Sequence, residues 1–398
     1  MKLLLLLLAL PMFFGCDNGI VNIPDANFKA YLIRNSAINT NGDKEIQVSE
    51  ARNFNGTINC SKYGIYNLKG IEAFTALTYL DCSFNHFLAL DVSGASALTY
   101  LDCRYNQLTS LDVSGASALT QLWCYENQLT SLDVSKNTAL TQLWCYENQL
   151  ISLNISGASA LTYLDCRYNR LTSLDVSKNT ALTYLGCYEN QLTSLDVSKN
   201  SALIYFKCNA NQLTSLDVSK NTALTQLWCY ENQLISLNIS GASALTYLDC
   251  RFIRLTSLDV SKNTALTRLD CRYNQLTSLD VSGASALTSL VCNYNKLKSL
   301  DVSKNSDLTI LYCGGNQLTS LNVSKNTALT GLSCWENQLT SLDVSKNTAL
   351  TFLRCWNNQL TSLDVSKNSA LIRLSCYNNK FDCDALKSKY GIENPDGD

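Results

Sequence analysis

From Leu77 onward the apolar residues fall into a pattern that returns every 21 positions. Leu77, Leu98, Leu119 and Leu140 open successive units, and the series runs to Leu371 without an insertion. Cysteines keep the same interval from Cys82 to Cys376, which makes fifteen units, and a divergent unit precedes them around Ile58 and Cys60. In the unit LTQLWCYENQLTSLDVSKNTA (residues 119–139), Leu122 and Cys124 alternate with outward Gln121, Trp123 and Tyr125. Such alternation predicts a short, half-buried strand. Leu132 and Val134 repeat it in the second half, so a strand is expected on each side of the unit. A register kept this strictly places every copy at the same point of a stack, which is a solenoid. A single unit has too few neighbours to cover its own apolar rows, so stacking and end caps must complete the burial.

The spacing L-x-x-L-x-C-x-x-N-x-L resembles the leucine-rich-repeat consensus, and the chain is similar to internalin-like bacterial surface repeats of the short 21-residue subtype over residues 55 to about 380. The resemblance implies a mainly β leucine-rich-repeat solenoid of about 16 coils with parallel strands and a short N-terminal helical cap. It also implies a surface protein that works by binding other proteins, as in adhesion.

Two ladders follow from the register. Asn85, Asn106, Asn127 and their successors stand three residues after each cysteine. An inward amide there offers donors and an acceptor to turn backbone groups that no strand satisfies. Ile253 interrupts this row, and a local defect is expected there. Eighteen cysteines in an exported chain ordinarily suggest disulfides. Here each repeat cysteine takes the inward position that Val fills in the second half, and side chains of stacked neighbours point the same way. Buried free thiols are therefore expected. Cys376 and Cys383, at the C-terminal end, are the pair placed to bridge.

Compared across copies, the outward positions of the first strand vary while the rest is nearly constant. All five Trp and sixteen of the twenty Tyr fall on this face, where the core has no use for them. Aromatics with Arg on a rigid surface have the composition of binding hot spots. The candidate ligand-binding residues are Trp123, Tyr125, Glu126, Trp144, Tyr146, Glu147, Tyr163, Arg167, Tyr184 and Tyr188, with an echo at Trp228 and Tyr230. A protein ligand is the first reading. A glycan stacked on the rings is the alternative, and cross-strand stacking that merely stabilises the sheet is a third.

The ends add chemistry. Lys2, the apolar run Leu3 to Phe14, and Gly15 before Cys16 read as an export signal over residues 1–15. The small residue before Cys16 resembles the bacterial lipobox, which implies lipidation of Cys16, export, and attachment at the outer membrane or cell surface by a lipid anchor alone. Residues 16–54 then form a linker and helical cap, 55–376 the solenoid, and 377–398 a C-terminal cap and tail. Within the first cap, Asn39, Asn41, Asp43 and Glu50 fall at ligand positions one, three, five and twelve of a loop that resembles an EF-hand. Asn39 replaces the usual first Asp and Lys44 the turn glycine, which favours a degenerate structural loop, with Ca2+ as the alternative. No other cofactor is expected.

The charge balance, 31 Lys and Arg against 33 Asp and Glu, leaves no basic block for a nucleic-acid backbone. The single histidine, His86, stands beside ladder Asn85. No Gly-rich phosphate loop or H-E-x-x-H occurs, so no catalytic site is expected.

Overall fold

The computed structural model describes residues 19–392. The export segment 1–15 and Cys16 lie outside them, as does the end of the tail. Sixteen three-residue parallel strands, from Thr57–Asn59 to Arg373–Ser375, make one continuous sheet, each paired with its equivalent one coil away. Register is exact to the residue: Leu122 faces Leu143, and Leu143 faces Leu164. The sequence-predicted solenoid of about 16 coils is the fold observed.

The second side of the coil differs from expectation. Strands form there in only three pairs, such as Ser131–Asp133 with Ser152–Asn154. In many other coils the same SLDV segment carries its apolar residues inward without a ladder. Leu174 and Val176, for example, are buried although no strand passes through them. Side-chain burial thus repeats in every coil, whereas backbone pairing on this side does not.

Leu, Cys and Val rows fill the interior, and the Asn row completes it. Asn148 Nδ2 donates to the carbonyls of Cys124, Cys145 and Tyr146 at 3.0–3.3 Å, and its Oδ1 accepts from the Leu129 N–H at 2.9 Å. One amide therefore satisfies four backbone groups in two coils. At Ile253 the side chain is buried and offers the Leu234 N–H no acceptor, whereas the Leu213 N–H one coil earlier is bonded to Asn232. Ile253→Asn is expected to raise stability by about 1–2 kcal/mol, read as a higher midpoint in denaturant titration. An unchanged midpoint means the local backbone is satisfied some other way.

The turn behind each coil comes in two forms. Where the sequence reads Ser-Lys-Asn, the Asn is wholly buried and bridges to the coil before it. Asn137, for example, bonds the carbonyls of Val113 and Ala116 at 2.8 and 2.9 Å. Where it reads Ser-Gly-Ala, the alanine leaves no spacer and the turns nest. A Cβ on Gly115, Gly157 or Gly241 would lie 1.7–1.8 Å from the carbonyl oxygen of the serine one coil earlier. Lys always accompanies Asn, and Gly always accompanies Ala.

Both ends are closed. Helix α1 (Ala26–Arg34) starts at Asp25, whose carboxylate accepts from the N–H groups of Asn27 and Phe28. It buries Phe28 and Leu32 over the first coil. A second short helix, α2 (Val48–Asn53), completes that cap. At the other end α3 (Cys383–Tyr390) is tied to the last coil by a Cys376–Cys383 disulfide, with Cα atoms 5.6 Å apart. The other cysteines among the described residues, fifteen of them, are free and buried, as the spacing predicts. No helix among the described residues is long and apolar enough to cross a membrane.

Candidate interaction face

The variable strand face is built from four outward positions per coil, and register alone aligns them into columns. Tyr79, Tyr100, Trp123, Trp144, Tyr163 and Tyr184 form an unbroken series of ring contacts with centroids 4.3–5.4 Å apart. Lys207 carries the series onward, its Nζ lying 5.9 Å from the Tyr184 ring and 4.8 Å from Trp228, which meets Tyr247. The residues singled out by sequence in coils Leu119 to Leu182 are therefore one contiguous surface, and Trp228 joins it through Lys207.

A second column runs beside the first. Tyr125 and Tyr146 stack at 4.2 Å. Arg167 lies over Tyr146 at 4.1 Å and donates to the Tyr188 hydroxyl at 3.0 Å. Arg251 repeats the arrangement over Tyr230 at 4.5 Å. Alternation correctly points these side chains away from the core, but the columns then cover one another. Tyr125 is only 9% exposed, Trp123, Trp144 and Trp228 are half-buried, and Glu147 is exposed. Cross-strand stacking is thus present on this face.

Two features of the face were missed in the sequence. First, the residue after the tyrosine or arginine column has positive φ in nearly every coil: Phe84, Tyr105, Glu126, Glu147, Tyr168, Glu189, Glu231, Phe252, Tyr273 and Tyr294 all lie at 50–55°. Among the described coils Gly315, Asn357 and Asn378 place at this position the residue types that tolerate this region. Bulky side chains are displayed at a backbone position that disfavours them.

Second, Asp102, Asp165 and Asp249 point outward by alternation yet are 2–3% exposed. Each is covered by neighbouring rings and by the Arg two residues on, at 3.1–3.4 Å. The recurring Asp-Cys-Arg triplet was the available signal. Burial raises these carboxyls, Asp102 to about 7 and Asp165 and Asp249 to about 6, against the lowering effect of the arginines. The opposite row behaves oppositely. The carboxyls of Asp175, Asp196 and Asp259 are held below the ordinary range because each accepts from the serine two residues on.

The raised group stabilises the fold fully below the ordinary carboxylate range, and that contribution is lost as pH climbs through 6–7. The lowered group contributes above that range and is lost as pH falls beneath it. Thermal melts across pH are expected to peak near pH 4–5, between the two windows, with Asp102→Asn flattening the neutral limb. A Tm that climbs steadily to pH 8 contradicts this assignment.

In the N-terminal cap, Asn39, Asn41, Asp43 and Glu50 do converge in one loop. Glu50 Oε1 accepts from the N–H groups of Thr40 and Asn41 at 2.8 and 3.1 Å, and Asp43 Oδ2 accepts from Asn41 and Gln47. Asn39 turns its Nδ2 to the carbonyls of Ile33 and Asp43. Among the described residues no three His, Cys, Asp or Glu side chains gather as a metal group. A calcium ion would have to take over these contacts, so melts in calcium and in chelator test it directly. The lone His86 packs against the Tyr66 ring at 5.1 Å.

No family model matches the chain, and no curated relative does. Solved structures do. The functional domain of InlJ from Listeria monocytogenes, described as including a cysteine ladder, is 38% identical, covering 89% of this chain and 74% of that one with a TM-score of 0.70. A leucine-rich-repeat protein of Leptospira interrogans, LIC12759, shares 23% identity over 87% of this chain and 96% of its own, TM-score 0.73. YopM from Yersinia enterocolitica shares 22% over 81% and 78%, TM-score 0.59. The last two speak to fold alone. With its 21-residue coils, its buried cysteine column and the extent of its likeness to InlJ, the chain belongs to the internalin-like bacterial leucine-rich-repeat proteins.

Proposed function

We propose that the protein is a non-catalytic surface interaction module that binds a protein ligand through its aromatic strand face, in adhesion or cell contact. The observation that carries this reading is the column of bulky and acidic side chains held at positive φ beside the stacked rings. A non-glycine residue in that region is strained at a cost of about 1 kcal/mol, and Gly315 occupies the position without that cost. Side chains kept there in coil after coil are side chains on display.

Ring orientation favours protein over glycan. Sugars stack on open aromatic faces, but here Tyr163 and Tyr184 lie parallel at 4.3 Å, as do Tyr79 and Tyr100. One face of each ring is spent on its neighbour, which leaves less open ring face for a sugar and suits the mixed polar and aromatic contacts of a protein interface. Export with a lipid anchor at Cys16 belongs to the same proposal. The Cys376–Cys383 bridge supports an oxidising compartment.

The test is a pull-down from the native environment with the purified protein, set beside a glycan array. A specific protein partner lost in Trp144→Ala/Tyr146→Ala supports the proposal. Specific sugar binding lost in the same variant replaces it with the glycan alternative.

A further inference from the structure

The chain carries one surface twice. Residues 140–181 and 224–265 differ only at Tyr168/Phe252 and Asn169/Ile253, forty identities in forty-two positions. The contacts are repeated with the sequence. Trp144 meets Tyr163 at 4.7 Å and Trp228 meets Tyr247 at 5.1 Å, each ring pair tilted by 34–37°. Each copy presents an exposed carboxylate, Glu147 or Glu231, followed one coil later by an arginine, Arg167 or Arg251. Four coils separate the copies, about 19 Å at strand spacing.

A two-fold axis lying along the strand direction, between the Leu182 and Leu203 coils, brings this face against itself with the solenoids antiparallel. Coil Leu182 then meets Leu203, Leu161 meets Leu224, Leu140 meets Leu245, and Leu119 meets Leu266. The strand direction is preserved, so the edge bearing arginines and glutamates meets the same edge. Arg167 of one copy faces Glu231 of the other, Glu147 faces Arg251, and Glu126 faces Arg272, while Lys207, which shares its strand position with Gly186, reaches from there toward Glu189. Symmetry gives each pair twice.

Neighbouring registers match less fully: sliding by two coils brings Glu189 to Arg167 but sets Glu126 on Glu231 and Arg104 on Arg251. Sliding by one coil sets Glu189 on Glu189 or Lys207 on Lys207. Sliding by four sets Glu126 on Glu189 or Lys207 on Arg272. Glu126 and Glu147, adjacent on one copy, already raise the Glu126 carboxyl by their mutual contact, so a cation brought to them relieves like charge.

The geometry points to a second copy of this chain as the occupant of the strand face, docked antiparallel about the axis between coils Leu182 and Leu203. This rests on reading that face as a protein-binding surface. The eight coils involved offer about 38 Å of length and about 20 Å of strand and edge, or about 760 Å², close to the roughly 800 Å² per partner of a stable interface. Tyr184 and Tyr205 flank its centre, where binding energy concentrates, with Trp228 one coil further out. The complementary charges fix the register and make association salt-dependent.

The test is sedimentation velocity of the purified chain over a concentration and salt series, with charge-swap variants whose melts match the parent. A dimer that loosens with salt is expected. Glu147→Arg sets arginine against Arg251, and Arg251→Glu sets glutamate against Glu147, so each variant alone is expected to weaken dimerisation on the order of tenfold or more. Mixing the two variants, or combining them in one chain, restores opposite charges at every one of these contacts and is expected to restore the dimer. Arg251 also holds Asp249 and Tyr230, so Glu189→Lys and Lys207→Glu serve as an independent pair with the same logic.

A chain that remains monomeric to about 0.1 mM, or variants whose mixture gains nothing over either alone, overturns the inference. If it is overturned while the pull-down still captures a partner lost in Trp144→Ala/Tyr146→Ala, the protein-binding reading survives with a different occupant.

Discussion

Gly157→Lys is expected to cost the protein at least about 3 kcal/mol, although lysine is the residue found at this position in most coils. The Gly157 turn nests against the coil before it, and its missing Cβ is what allows the Ser135 carbonyl to sit there. A side chain forces the turn outward without anything to fill the space opened behind it. Gly157→Lys/Ala158→Asn supplies the filler. The new amide can bridge to the preceding coil as Asn137 and Asn179 do, and the double variant is expected to recover most of the loss. Denaturant titration of the parent, both single variants and the double gives the coupling directly. Losses that simply add show that the two turn forms are not alternatives.

Asn148 carries the second large effect. Asn148→Ala leaves the Leu129 N–H without its partner and takes one of two donors from the carbonyls of Cys124, Cys145 and Tyr146, which keep Asn127, Asn169 and the Glu126 N–H. With one buried N–H left unpaired, at about 1–3 kcal/mol, and three carbonyls each reduced to a single donor, the loss is expected to reach about 2–4 kcal/mol. Asn148→Asp separates the two halves of the amide. A carboxylate still accepts from Leu129 but faces three carbonyls with no hydrogen to give, so it is expected to be at least as damaging as alanine. Because coils hold only their neighbours, the damage begins locally. Hydrogen exchange should rise first in the coils Leu119 to Leu161 and only later toward the caps. Uniform exchange along the chain contradicts this nearest-neighbour picture.

Both variants act on features of different legibility. The coil, its inward rows and the Asn column could be read directly, because a period of 21 makes each residue's direction a matter of counting. The buried free cysteines followed from the same count, and so did the Cys376–Cys383 exception, which lies at the end of the stack. Counting sets direction, but it is silent on what neighbours do afterwards. Asp102 and Tyr125 point outward and are nevertheless covered, because adjacent coils supply rings and arginines that close over them. The strand on the second side was expected in every coil and forms in a few, since alternation reports burial and not hydrogen bonding. Positive φ at Glu126 and its equivalents could not be read from residue type, because glutamate and tyrosine give no turn signal. Gly315, Asn357 and Asn378 hinted at it.

The thiol column has a further consequence. Burial pushes Cys60, Cys313 and Cys355 up to about 12, and the thiols between them rise as well. Virtually no thiolate exists to attack a disulfide or an oxidant. Chemical inertness is therefore a property of the packed state and not of the residues themselves. Once a stretch of coils opens, its sulfurs return to ordinary acidity at regular intervals along one chain and become open to crosslinking in an oxidising medium. Wherever that crosslinking is faster than refolding, the molecule's lifetime is set by how fast its coils open rather than by an equilibrium constant.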